Sequence, residues 1–583
     1  MAQTLHAQAL DAQDLDALLA RLEAAKTHYG RSAAAETRSV LDELSGHDFS
    51  EAKALIRFHE TLLFLRAFPQ SPALVTRIEN VLNTFHERVE KLRGQGVDMN
   101  LFDDFDTSGM AGTTMQDTLS FEAARWLVRR FSRHVEIAWE DWEEERAMGA
   151  TWPRFVPLLA EDADVEANIP WRRWLDEARG RERDCEWLIR RFEQLPATDR
   201  ARGELYDGLR VPLRWHLKNV KFSRTRNWTR PRQFYFHTEP LLVRSQVSLA
   251  DELMRPLPRL EKLSRLEGER VMEMIREVLV VRYRELYGTT LGDPRSVVRA
   301  KLGSDQSDRG VVMYFWNLPA ARRLPLRAYI AGFTLKSGVP VNYIEAIGLC
   351  DWIEVGFNTF YTYRGGETAW MYAQTLRCLR ALTGATTISV YPYQIGQNND
   401  EALDSGAFWF YRKLGFRSGR EDLEKLARRE ERRIVINPRY RTPRRTLKRL
   451  AEEHVFYELP GGEPGAWDRF SVRNLGLRVN RRMAKEFGGE SERIRRASLE
   501  NVSRALSVSL SRWSSAERQC FENWALVLAL MPGLERWSRQ EKVDVVRIIR
   551  AQAGANEMRY LRLTQRHVRL RAELLRLGSA SHK

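Results

Sequence analysis

Two runs of the chain carry side chains at spacings that could do chemistry, and a third could hold a polyanion. The first is YTYRGGETAW (361–370), where an aromatic, β-branched run gives way through glycine to a helix-period run. A strand that enters such a turn and leaves as a helix aims backbone N–H groups and the positive end of a helix dipole at one spot, which suits phosphate. Arg364, Gly365, Gly366, Glu367, Thr368 and Ala369 form the turn, and Tyr363 leads into it. Two glycines also make an ordinary turn, so context decides. Glu367 is the discordant residue, because a carboxylate beside phosphate is unfavourable unless it points away, as it would in capping the helix start. The second run, DSGAFWFYRKLGF (404–416), gathers Asp404, Ala407, Tyr411, Lys413, Gly415 and Phe416 around one helix, where Tyr411 could simply be a core aromatic beside Phe408. The third, VPLRWHLKNVKFSRTRNWTRPR (211–232), interleaves Trp215, Phe222 and Trp228 with arginine and lysine and has no acid. That suits single-stranded nucleic acid or an anionic surface; the alternative is an extended connector whose aromatics dock on a neighbouring domain.

The elements around these runs change period along the chain. From about 10 to 205 the pattern is helical: Leu55, Phe58, Leu62 and Leu65 make one stripe, and Leu74, Ile78, Leu82, Phe85 and Val89 a second, introduced by Ser71 as N-cap and Pro72 in the first turn. NLFDDFDTSGMAGTT (100–114) interrupts it as a loop; Asp103, Asp104 and Asp106 could hold a cation there but lack the EF-hand order. A helix is expected over 268–287. Then GVVMYFWNL (310–318), RAYIAGFTL (327–335), VPVNYIEAIGL (339–349) and WIEVGFNTFYTY (352–363) read as four strands, the second and third joined by a hairpin-like KSG turn. A helix (369–382), an apolar strand (386–393) and a helix (405–416) follow, which implies one parallel crossover attached to an antiparallel meander. Four units are expected: a helical domain (1–205), a basic aromatic connector (206–265), a mixed-sheet domain (266–425) and a basic helical C-terminal region (426–583) that includes the Gly/Pro-rich linker LPGGEPGAW.

On these residues the stretch 266–425 resembles the GNAT superfamily of N-acetyltransferases. In that family the pyrophosphate of acyl-CoA is held by a loop of pattern Q/R-x-x-G-x-G/A between the fourth strand and third helix, where this chain has Arg364 to Ala369 with Glu367 in place of the first required glycine. A later motif, N-x-x-A-x-x-x-Y-x-K-x-G-F, is matched by Asp404, Ala407, Tyr411, Lys413, Gly415 and Phe416, with Asp for Asn. The resemblance covers roughly a quarter of the chain and leaves the helical flanks outside. It implies an α+β fold with a GNAT-like mixed sheet flanked by helical regions, and acetyl-CoA or another acyl-CoA as co-substrate. An amine borne by a small molecule or protein would attack the thioester. A backbone N–H between Asn358 and Tyr363 would stabilise the oxyanion, and Tyr411 would protonate the departing thiolate. The implied cofactor-binding set is Tyr363 to Ala369 together with Asp404. No base is fixed by motif; Glu345 and Glu354 lie on candidate strands, and Glu345 is preferred because its strand is otherwise apolar. Tyr393, Gln394, Gln397, Asn398 and Asn399 form a longer polar link that could extend the acceptor site. The competing reading is a non-catalytic relative, a sensor or scaffold that binds nucleic acid, membrane or a protein through its basic segments.

Composition sets the outer limits. At 583 residues with 43% hydrophobic and 29% charged, the chain can bury several cores, and a net charge of +15 favours anionic partners without choosing among them. Cys185, Cys350, Cys378 and Cys520 are too widely spaced for a paired zinc or redox motif. The acidic N-terminal segment and the lack of a long apolar run are most simply read as cytoplasmic, without a transmembrane segment. No Walker loop, G-x-S-x-G elbow, H-E-x-x-H helix or G-x-G-x-x-G fingerprint is present, so ATPase, serine hydrolase, metalloprotease and dinucleotide readings lack support.

Overall fold

The change of period near residue 310 marks the centre of a large sheet. The computed structural model describes residues 12–104, 106–142, 151–165, 169, 171–286, 288–303 and 308–579. Residues 1–11 and 580–583 lie outside this set. Three strands, β1 (Thr114–Thr118), β2 (Val135–Ile137) and β3 (Pro212–His216), form a small antiparallel sheet with β3 in the middle. The large mixed sheet holds β4 (Arg259–Lys262), β5 (Val298–Lys301), β6 (Val311–Asn317), β7 (Ala328–Lys336), β8 (Val339–Leu349), β9 (Trp352–Thr359), β10 (Thr387–Val390), β11 (Arg417–Ser418) and β12 (Val455–Glu458).

β4 through β9 follow one another as antiparallel neighbours. The β7–β8 hairpin turns at Ser337 and Gly338, both at positive φ (48° and 76°), the conformation that the KSG residues suggest. Gly338 is also required by space, since a Cβ there would stand 1.8 Å from the Thr229 carbonyl oxygen. After β9 the Thr368–Thr383 helix crosses the sheet and β10 returns parallel to β9, with Ile388 opposite Ile353. The pairing is short, covering only Trp352 to Glu354 of β9. β10 stops at Val390 because Pro392 cannot donate to a ladder and instead opens the short helix Pro392–Ile395. The antiparallel meander with a parallel crossover is therefore present, in a mixed α+β architecture.

The sheet reaches past both expected limits. β4 comes from the stretch expected to be a connector, and β12, from the stretch expected to be helical, inserts between β10 and β11. HVFYEL (454–459) is too short a run, next to arginine-rich helices, for periodicity to mark it as a strand. The 1–205 region is not wholly helical either, because it contributes β1 and β2 to the small sheet. The stripe from Leu74 to Val89 is broken at Thr84 into helices Pro72–Asn83 and Phe85–Gly94, while Ser71 accepts from the Leu74 amide as the N-cap reading requires.

The flanks share the central core. A continuous set of buried apolar side chains runs from Leu18 in the N-terminal helices through the sheet to Leu577. The small sheet has its own core, into which Val280 and Val281 of helix Arg265–Tyr283 also project. The basic C-terminal helix Glu557–Arg566 keeps most of its cations outward and buries Tyr560 and Leu561 near β7 and β8, each worth about 1.5–3 kcal/mol of burial. Among the described residues no helix is long and apolar enough to cross a membrane.

Candidate active site

Where β9 and β10 part, a cavity of about 800 Å³ opens. Beyond Glu354, β9 continues to Thr359 with no partner strand on its β10 side among the described residues, so the backbone groups of Val355, Phe357 and Thr359 are left along that edge, where the Thr359 carbonyl accepts from Arg364 Nε at 3.4 Å. Phe357, Asn358 and Thr359 line the cavity there. Glu345 enters from β8, Arg364 and Thr368 from the turn after β9, and Tyr411 from the short helix Ala407–Arg412. Two sequence runs and a strand carboxylate separated by more than sixty positions thus meet at one hollow.

At the helix start after the turn, Thr368 lines the cavity while Ala369 and Trp370 are buried. The helix N-cap, Glu367, makes no side-chain cap hydrogen bond, so its carboxylate does not satisfy the first-turn amides. Glu367 points the other way: its carboxylate is 0% exposed and accepts from Lys336 Nζ at 3.1 Å, Arg309 Nε at 2.9 Å and the Leu242 amide at 3.2 Å. Burial alone would raise its pKa, but Lys336, Arg309 and His237 pull it down to about 2. The discordant carboxylate is therefore neutralised on the far side of the loop, although it does not cap the helix as expected. Gly366 is held by packing, because a Cβ would stand 2.3 Å from the Phe68 ring. Thr362 donates to Glu60, which also pairs with Arg224 at 2.8 Å, so helix Ala52–Ala67 braces the turn from behind.

Glu345 accepts from the Tyr329 hydroxyl and from Thr289 Oγ1 at 3.3 Å. Tyr411 is 4% exposed, packed by Tyr372, Phe410 and Phe416, and its phenol is pushed up from the usual value by burial. It is both a core aromatic, as the plain helical reading has it, and part of the cavity wall. Tyr393, Gln394 and Asn399 of the polar link reach the cavity, with Gln394 donating to the Asn358 side chain at 3.2 Å.

Several expected site residues stand elsewhere. Asp404 ends its helix instead of starting one, and its 68% exposed carboxylate pairs with Arg444, outside the cavity lining. Asn399 caps that helix. Tyr363 is buried beneath the turn beside Arg224 and Arg282, and Ala369 is buried in the helix. The exposed Gly365 and the half-buried Gly366 lie between Arg364 and Thr368 but not in the lining. The Phe360 and Tyr363 amides, within the span expected to supply the oxyanion donor, are already bonded to Val341 and Phe360 carbonyls. Arg364 is paired with Glu401 across the cavity rim. Of the acidic loop, Asp103 pairs with Arg284 at 2.6 Å and Asp106 lines the cavity.

Glu354, the other candidate base, is drawn away to His454, whose Nε2 lies 2.8 Å from it and whose Nδ1 lies 3.0 Å from Glu453. Burial opposes charge on this imidazole, yet the two carboxylates push its pKa up to about 9. A raised folded-state pKa stabilises fully below the unfolded value of about 6.5 and ceases to do so as pH rises through about 9. The expected loss over that window is on the order of 2–3 kcal/mol, and His454→Asn should flatten it. Urea unfolding at pH 6 and pH 9.5 checks this; equal pH slopes in both proteins would mean the imidazole is neutral.

The basic run 211–232 is absorbed into structure. Trp215 and Phe222 are buried and stacked on each other with centroids 5.1 Å apart, and Trp228 donates to the Ser337 carbonyl at 2.9 Å. Arg214 pairs with Glu136, Glu140 and Asp141. The aromatics are thus not presented for base stacking, and the docked-connector alternative describes them. Sequence reading missed Arg282, Tyr283, Tyr329, Tyr343 and Phe360, all in the cavity wall. Aromatic residues on strands signal a core equally well, so no local pattern separates them.

Compared with known proteins, the chain matches no family model, no curated protein and no solved structure.

Proposed function

We propose that the protein is an acyl-CoA-dependent N-acyltransferase with a GNAT-like catalytic domain. The observation that carries the reading is the gap between two parallel strands: β9 and β10 part after Glu354, and the cavity in the gap is lined by Glu345, Asn358, Arg364, Thr368 and Tyr411. Its volume of about 800 Å³ is in the range of small-molecule sites. The uncapped start of the Thr368–Thr383 helix fits a diphosphate, and the unpaired edge of β9 fits a pantetheine arm and a developing oxyanion. The acyl-CoA supplies the thioester. Glu345, oriented by Tyr329 and Thr289, takes a proton from the ammonium group of the acceptor. The nitrogen–carbonyl bond forms as the carbon–sulfur bond breaks, Tyr411 gives its proton to sulfur, and the remaining amine proton restores the phenol. One proton leaves to solvent per turnover.

Ligand linkage tests the reading directly. Acetyl-CoA at 100 times its dissociation constant should stabilise the protein by about 2.7 kcal/mol and raise its melting temperature. No shift at millimolar acetyl-CoA and millimolar CoA would remove the assignment.

A further inference from the structure

The cavity wall contains two arginines with different surroundings. Arg364 is paired with Glu401, whereas Arg282 makes no hydrogen bond or ion pair with any described residue. Arg282 lies in the last turn of helix Arg265–Tyr283 and is 9% exposed; its Nε is wholly buried without a partner. Its guanidinium stands 4.0 Å from the centre of the Phe360 ring. Glu60, the carboxylate whose charge favours the Arg282 cation, is already taken by Arg224, Thr362 and His59. A helix C-terminus and an aromatic face both favour a cation, but neither replaces the anion that a buried arginine ordinarily has. Burial and the neighbouring Arg224 accordingly lower its pKa to about 10.

The position of this cation relative to Glu345 gives it a use. Phe360 lies 6.3 Å from Tyr343, and Tyr343 lies 5.4 Å from Tyr283, centre to centre. Tyr343 and Glu345 are two residues apart on β8, so they share a face at a separation of about 7 Å. One aromatic wall therefore links Glu345 to the guanidinium of Arg282 within the same cavity lining.

We propose that Arg282 recognises an anionic group on the acceptor, so that the acceptor is a small amine bearing a carboxylate or phosphate, with its nitrogen at Glu345 and its anion at Arg282. The proposal rests on the acyltransferase reading. A planar fork paired with a carboxylate or phosphate oxygen pair gives directional recognition that an amine without an anion cannot match.

The test uses the full chain, acetyl-CoA, and a matched set of amines: n-butylamine, putrescine, 4-aminobutyrate and 3-aminopropyl phosphate, followed by thiol release. At least one anion-bearing amine is expected to exceed n-butylamine in kcat/KM by about 100-fold, and Arg282→Gln to erase the difference while the acetyl-CoA melting shift stays the same. Anion-bearing amines no better than n-butylamine would overturn the proposal. So would an Arg282→Gln protein whose acetyl-CoA affinity falls tenfold, since the arginine would then serve the donor. A chain that fails to bind acetyl-CoA at all would sink the transferase reading instead. A second variant guards against misfolding: Arg282→Met, measured without ligand, should melt no lower than the parent protein because it removes an uncompensated buried charge. A drop of several degrees would identify a structural arginine and overturn the assignment.

Discussion

Tyr411→Phe should lower turnover with acetyl-CoA by roughly 100-fold or more while leaving acetyl-CoA affinity within about twofold. The ring packs against Tyr372, Phe410 and Phe416, and phenylalanine preserves those contacts, so the loss isolates the hydroxyl. That hydroxyl forms no hydrogen bond with a described residue, and burial keeps it protonated well beyond neutral pH. A phenol that holds its proton at neutral pH can still give it to a thiolate, because the sulfur gains a full charge as the thioester opens. Steady-state thiol release, together with the acetyl-CoA melting shift, checks both halves. Turnover within a few-fold of the parent would return Tyr411 to a purely structural role.

Glu367→Ala should cost about 3–5 kcal/mol of folding stability, the largest effect expected for any single charge removal here. The carboxylate joins strand β7 through Lys336, the turn before β6 through Arg309, and the 234–243 segment through the Leu242 amide. Lys336 is itself fully buried, and burial lowers its pKa to about 8 even with Glu367 beside it. Removing the carboxylate strands that ammonium group in a dry interior, where its remaining neighbours are the Arg309 carbonyl and the faces of Phe68 and Tyr235. The same depressed carboxyl makes this stability present above pH 4.5 and lost as pH falls towards about 2. Denaturant unfolding at neutral pH is the measurement. A change under about 1 kcal/mol would show that the cluster is solvated in the native state. Because the same substitution alters the helix start at Thr368, weakened acetyl-CoA binding is expected to accompany it.

These two residues illustrate how differently the chain advertises its parts. Tyr411 stands in the run DSGAFWFYRKLGF, whose helix period is local and reads plainly as a core aromatic beside Phe408; that it also forms part of the cavity wall is a matter of tertiary placement. Glu367 was legible as an anomaly but not as a solution. Its partners Arg309 and Lys336 lie 58 and 31 residues away, and nothing local marks either cation as buried. Asp404 shows the opposite failure: matching its run, it is nonetheless drawn to Arg444 in a segment that sequence assigned to another unit.

Sequence by itself determined the elements whose signal is local: the strands Val311–Asn317 to Trp352–Thr359, their hairpin at Ser337 and Gly338, the crossover helix Thr368–Thr383, and the helical texture of the flanks. Alternation, turn residues and caps act within a few positions, so they can be read in order along the chain. Tertiary structure alone decided that β12 lies between β10 and β11, that β9 and β10 part at Glu354, and that Arg282 faces Glu345's cavity without a counterion. Those outcomes depend on which distant surfaces become neighbours once the apolar faces are buried. A side chain's charge partner, and therefore its chemistry, is fixed by that placement and not by its own neighbourhood in the chain.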